Sequence, residues 1–140
     1  MSQLNDAVPN KISVWIGTTN KSHEDFNAYY VGLEDPDSGC GLHKDLGTDF
    51  IDTDWFCSFG TASRKILPVQ LLCAQLGCSS KTTELKIVEK CLSMGITTGN
   101  VLSCYRHASF VPDEPRRLYN DMWFIGSFDD PIQEHSGSAY

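Results

Sequence analysis

Seven carboxylates, Glu34, Asp35, Asp37, Asp45, Asp49, Asp52 and Asp54, crowd positions 34–54 with a single lysine, Lys44, among them. They make up most of a net charge of −7. Carboxylates at this density can ligate a hard cation, present a negative surface to a basic protein, or stand in water as turn and strand-end residues. The run KDLGTDFIDTDWF, from Lys44 to Phe56, also carries Phe50, Ile51, Trp55 and Phe56. A solvated acidic loop does not need those apolar side chains, and a core strand does not need Asp49, Asp52 and Asp54. The mixture predicts a surface that is both shaped and strongly negative, and such a surface disfavours nucleic acid.

Metal chemistry would draw on Asp45, Asp49, Asp52, Asp54 and His43, the ligand set of a small metal-dependent hydrolase. The twelve-residue calcium loop with its glycine and terminal glutamate is absent. In an extended segment Asp52 and Asp54 share a face and Asp49 points the other way. No metal or other cofactor is expected. Nucleophilic chemistry has even less to work with. Cys40 precedes His43 by three residues, but nothing resembles a nucleophile elbow or a protease cysteine motif, and His23, His43 and His107 read as surface histidines. The six cysteines form no C-x-x-C pair and read as reduced thiols. Gly39 and Gly41, or Gly95 and Gly99, fit no phosphate-binding fingerprint, and Arg116-Arg117 reads as a solvated pair. Trp15, Trp123 and Phe124 fall in strands, where they pack rather than stack on bases.

The charge is unevenly distributed. Residues 60–107 carry six basic and two acidic side chains, whereas residues 108–140 carry six acidic and two basic ones. A pI near 4.9 argues against binding nucleic-acid phosphates. No apolar run reaches the roughly 20 residues needed to cross a bilayer. The start MSQLNDAVPNK lacks the basic and apolar stretches of a secretory signal, so a cytoplasmic protein without a membrane partner is expected.

The elements that must hold the acidic stretch are legible as patterns. KISVWIG alternates as a strand, with Ile12, Val14 and Ile16 on one face and Ser13 and Trp15 on the other. Ser22 caps a helix whose stripe is Phe26, Tyr29, Tyr30 and Leu33, with Glu24 and Asp25 at the positive end of its dipole. Glu34 to Gly41 is loop, and a short helix over Leu42–Leu46 closes on Gly47. Phe50–Phe59 is predicted as a strand. A helix follows Pro68 with Val69, Leu72, Cys73 and Leu76 inward. Another, capped by Thr82 or Thr83, turns Leu85, Val88 and Leu92 inward, with Ile87, Cys91 and Met94 as a second apolar row. Strands at Val101–Ala108 and Asn120–Phe128 complete an α+β domain, a mainly antiparallel sheet with helices packed on one face, in the order β-α-(α)-β-α-α-β-β. The expected organisation is a flexible N-terminus over residues 1–10, one domain over 11–130, and a disordered tail over 131–140.

In this order the features resemble the immunity protein 22 family of bacterial polymorphic-toxin systems. The matching residues are Trp15 and Gly17 of a W-x-G strand, then Phe26, Tyr29 and Tyr30 of an acidic helix ending in aromatics. Asp45 and Gly47 follow as a D-x-G segment, then Asp52, Asp54 and Phe56 at a D-x-D strand entrance. The resemblance spans about residues 12–128 and is weakest over 61–81 and 112–117. It implies a non-enzymatic inhibitor that binds a cognate toxin protein and blocks its active site. The protein-binding surface would comprise Glu34, Asp35, Asp37, Asp45, Asp49, Asp52, Asp54 and Trp55, facing a basic cleft. The other readings of the same patch are the metal-dependent hydrolase and an adaptor domain for another basic protein.

Overall fold

KISVWIG forms β2 (Lys11–Gly17), in which every residue from Ile12 to Gly17 is buried. A strand buried on both faces needs a layer on each side. Ile12, Val14 and Ile16 meet Val69, Leu72 and Cys73 of α3 (Val69–Cys73) and Ile87, Val88 and Cys91 of α4 (Lys81–Ser93). Trp15 points the other way, into a second cluster with Phe26 of α1 (His23–Ala28) and Leu42 and Leu46 of α2 (Gly41–Leu46). The α+β class and the antiparallel sheet are as expected. The helices, however, lie on both faces of the sheet rather than one, because the aromatic side of β2 is as thoroughly buried as its aliphatic side.

The structure is a computed structural model that describes residues 3–114 and 116–131. Its main sheet has five strands in the order β3-β6-β2-β9-β8, namely β3 (Phe56–Gly60), β6 (Val101–Arg106), β2, β9 (Met122–Asp129) and β8 (Leu118–Tyr119). All of its neighbours run antiparallel. Two short ribbons are added, β1 (Gln3–Asn5) with β7 (Ser109–Val111), and β4 (Leu67–Pro68) with β5 (Thr98–Gly99). Residues 3–5, within the segment expected to be flexible, are thus paired, and Leu4 packs on the aromatic cluster. The tail beyond residue 131 lies outside the described residues.

Close packing explains the W-x-G pattern. A Cβ on Gly17 would sit 2.1 Å from the Asp121 carbonyl oxygen and 2.7 Å from Met122 Cα, so only glycine lets β9 start against β2. Trp15 stacks among Phe110, Phe124 and Tyr119 at ring separations of 5.8, 5.2 and 6.5 Å.

Three expectations about the helices change. α1 ends at Ala28, and the chain then turns through Gly32 at φ 88°, yet its aromatic stripe still faces the second cluster. The cap of α4 is Ser80, whose hydroxyl accepts from the Thr83 N–H, and not Thr82 or Thr83. The inward stripe of α4 is Thr83, Ile87, Val88 and Cys91, while Leu85 and Leu92 are 51% and 44% exposed. Shifting the cap toward the N-terminus does not rotate a helix. What sets the face is the shared contact of Ile87 and Cys91 with α3 and β2, which leaves the Leu85–Leu92 row outside.

Candidate functional site

The acidic stretch is built as two arms clamped together. The first arm, residues 33–38, is pinned from α2 by His43, which is buried at 3% exposure. Its Nε2 lies 2.7 Å from the Leu33 carbonyl oxygen. A carbonyl only accepts, so Nε2 carries the proton. Ser38 donates to the Gly32 carbonyl at 2.7 Å and closes the loop. His43 is therefore a structural strut and not the surface histidine that was expected. α2 itself ends on Gly47 at φ 72°, as its sequence predicts.

The second arm is the turn that leads into β3. Ile51 is fully buried, and its N–H donates to the Leu33 carbonyl at 2.8 Å. The Asp52 N–H donates to the Tyr105 hydroxyl at 3.0 Å. The Asp52 side chain accepts from the Asp54 N–H at 2.9 Å, and its carbonyl accepts from Trp55 and Phe56. Aspartate at this place offers the backbone a turn in place of a ladder, so the strand expected from Phe50 begins only at Phe56. This accounts for the mixed sequence. Ile51 and, in part, Phe56 fill the core, whereas Phe50 and Trp55 stay 40% and 45% exposed.

Glu34 closes the clamp. Its carboxylate accepts from the Thr53 N–H at 3.0 Å and from the Thr53 hydroxyl at 2.9 Å. These two donors, the main-chain one first, hold the Glu34 carboxyl below its ordinary range. Thr53 is flanked by Asp52 and Asp54, so these bonds tie Glu34 to the turn that carries both. Asp35 and Asp37 are exposed on the first arm, where the Asp35 carboxylate accepts from the Asp37 N–H at 3.0 Å. Asp49 is exposed beside an open depression that it lines with Pro36, Gly39, His43 and Lys44.

Asp45 does not belong to this surface. Its carboxylate accepts from the Tyr29 hydroxyl at 2.5 Å and pairs with Arg117, with side-chain exposures of 22% for Asp45 and 29% for Arg117. Burial, and next the hydrogen bond to Asp45, push the Tyr29 phenol well above its usual range. Arg117 also reaches Asp113 at 3.4 Å and lies over the Tyr119 ring. The arginine expected to be solvated thus ties Asp113 and Tyr119 to Asp45 of α2, and through it to Tyr29 at the end of α1. No local pattern could have paired positions 45 and 117.

Trp55 stands where two surfaces meet. Its ring sits edge-on against His107 with centroids 4.5 Å apart. Beyond it a shallow groove is lined by Asn10, Lys11, Arg106, His107 and Asp130. No local pattern predicts this groove, since with Trp55, Gly77 and Ser79 its lining comes from five separate segments. Its charges are largely committed internally. Lys11 pairs with Asp129 at 3.0 Å, and Arg106 bonds Asp130 and the Leu76 and Gly77 carbonyls.

Among the described residues, no three His, Cys, Asp or Glu side chains are grouped to hold a metal ion. The ligand set imagined for a hydrolase is dispersed instead, with Asp45 held by Arg117 and His43 held by Leu33. The six cysteines are unpaired thiols, Cys57 exposed and Cys40, Cys73, Cys91 and Cys104 buried. Burial pushes Cys104 up to about 12 and Cys78 up to about 11, which makes both poor nucleophiles. No helix among the described residues is long and apolar enough to cross a membrane. No family model, no curated protein and no solved structure matches the chain.

Proposed function

We infer that the chain is a non-enzymatic binding protein that recognises a basic protein partner through Glu34, Asp52, Asp54 and Trp55, with Asp35, Asp37 and Asp49 around them. The observation that carries this reading is the Glu34–Thr53 clamp. It ties Glu34 to the turn that carries Asp52 and Asp54, a turn held by its own hydrogen bonds and followed by a half-exposed tryptophan. Preorganised charge of one sign steers an oppositely charged partner and raises its association rate, and an aromatic ring at the margin supplies contact area. Asp45 is left out, because its charge is spent on Arg117 and Tyr29.

The further step, from basic partner to toxin, rests on the resemblance of the W-x-G, D-x-G and D-x-D segments to the immunity protein 22 family. On that reading the chain works in the cytoplasm without a cofactor. Its carboxylates occupy the place of phosphates in the cationic cleft of a cognate toxin. The test is to co-express the chain with the toxin domain encoded beside it. A stable complex and rescue of growth are expected. Growth arrest despite a folded, expressed chain would dispose of the proposal.

A further inference from the structure

We propose that Cys57 and Cys104 are a redox pair that closes, by exchange with a low-molecular-weight disulfide, into a reversible bond between β3 and β6. The two residues are directly opposed in the register of these strands. Opposed residues of an antiparallel pair turn their side chains to the same face. That face is the one under α3 and α4. Cys104 belongs to their cluster, and Phe59, two positions on from Cys57, packs against it. On the other face the next opposed pair already meets, the Ser103 hydroxyl donating to the Ser58 hydroxyl oxygen at 3.2 Å.

The reach of the pair decides what kind of bond it makes. The Arg106 N–H donates to the Trp55 carbonyl and the Thr61 N–H to the Asn100 carbonyl, so positions 57 and 104 form a hydrogen-bonded pair. Cα atoms in such a pair stand about 5.5 Å apart, within the range that a disulfide spans. Their Cβ atoms stand roughly 4.5–5.5 Å apart, whereas a relaxed disulfide needs about 3.5–4.5 Å. Closing the bond therefore draws β3 inward. β3 is the outermost strand of the main sheet, with β6 alone beside it there, so no second strand holds it back. The strain left in the bond makes it easy to reduce, which marks a switchable bond and not a structural one.

Exposure orders the two steps. Cys57 is the only exposed thiol of the six. Cys104 is 3% exposed, and burial pushes its thiol up to about 12 against the opposing charge of Arg106. The Cys57 sulfur therefore attacks first. It forms a mixed disulfide with one half of the oxidant, and the other half leaves as a thiol with the Cys57 proton. The Cys104 sulfur then attacks Cys57 in that mixed disulfide, and the second half leaves as a thiol with the Cys104 proton. Both cysteines are oxidised, the small disulfide is reduced to its thiols, and nothing else is consumed. The buried Cys104 thiol makes the second step the slower one. Because β3 starts directly after the turn that carries Asp52, Asp54 and Trp55, the bond also anchors the end of that turn.

The test is exposure of the reduced full chain to oxidised glutathione, with acid quenching, intact-mass spectrometry and peptide mapping. The wild type is expected to carry glutathione on Cys57 first and then to lose it. What remains is a chain lighter by the two thiol hydrogens, with Cys57 and Cys104 in one cross-linked peptide. Excess reduced glutathione should reopen it. Cys104→Ala should hold the adduct on Cys57 at least about tenfold longer, and Cys57→Ser should gain neither adduct nor cross-link at Cys104. If Cys104→Ala fails to fold, the mapped peptide and Cys57→Ser decide, since position 57 is exposed. A wild type that stays unmodified or keeps its adduct on Cys57 overturns the proposal. So does a cross-link to another cysteine, or one that reduced glutathione does not open. Cys57→Ser keeps Glu34, Asp52, Asp54 and Trp55, so losing the cross-link alone leaves binding to a basic partner intact.

Discussion

Replacing Asp45 by alanine separates scaffold from surface within the acidic stretch. The substitution removes the acceptor of the Tyr29 hydroxyl at 2.5 Å and the partner of Arg117. A hydrogen bond to a charged group is worth about 1.5–3 kcal/mol. The ion pair, at exposures of 22% and 29%, adds less than about 1 kcal/mol. The expected loss is therefore about 2–4 kcal/mol, which for a chain of this size lowers Tm by roughly 6–12 °C. Asp45→Asn keeps an acceptor for Tyr29 and should lose only about half as much. Asp54→Ala, on an exposed turn, should stay within about 0.5 kcal/mol of the wild type. Urea denaturation followed by tryptophan fluorescence reads all three, and partner binding is measured on the same samples at a temperature where each is folded. The reasoning fails if Asp45→Ala melts like the wild type yet loses partner affinity. Asp45 would then be a recognition group, and its bond to Arg117 incidental.

Glu34 gives a pH dependence of defined sign. Its folded pKa lies below the ordinary glutamate value of 4.5, so its bonds to Thr53 stabilise the fold fully above that value and are lost as pH falls through the lowered pKa. Glu34→Gln should thus differ from the wild type by a constant amount at neutral pH, a difference that shrinks below about pH 4.5; a difference that instead grows on acidification contradicts the clamp. Gly17→Ala should cost at least about 1–3 kcal/mol, because its Cβ meets backbone rather than a movable side chain, and calorimetry would show the loss as a lower Tm. Alkylation by iodoacetamide should reach exposed Cys57 before Cys104, whose thiol is buried and pushed up to about 12, as peptide mapping can verify.

Local patterns carried much of the fold. The alternation of Ile12, Val14 and Ile16 placed β2, Gly47 placed the end of α2, and Val69, Leu72 and Cys73 placed the inner face of α3. These signals are periodicity and capping, and a short window contains them. What failed was decided by tertiary contact. Leu85 and Leu92 are as hydrophobic as Ile87 and Cys91, and only the position of α3 and β2 tells which row is covered. The same limit applies at the site. Clustering in sequence grouped Glu34 with Asp52 and Asp54, whose turn Glu34 bonds through Thr53, but it also included Asp45, which a distant arginine withdraws. His43 looked like surface because histidine in a loop-rich stretch usually is. Its burial is a tertiary matter, since the Leu33 carbonyl it bonds, shared with the Ile51 N–H, is brought to it by the folding of the first arm over α2.

Glu34, Asp52 and Asp54 are proposed to form one recognition surface for a basic protein. The most direct test is the association rate between the chain and the toxin domain proposed as its partner, measured by stopped flow over a range of ionic strength. The wild-type rate should fall steeply as salt rises. The triple variant Glu34→Gln, Asp52→Asn, Asp54→Asn should associate about tenfold or more slowly at low salt, with a much flatter salt dependence. A triple variant with the wild-type rate and the wild-type salt slope would contradict it.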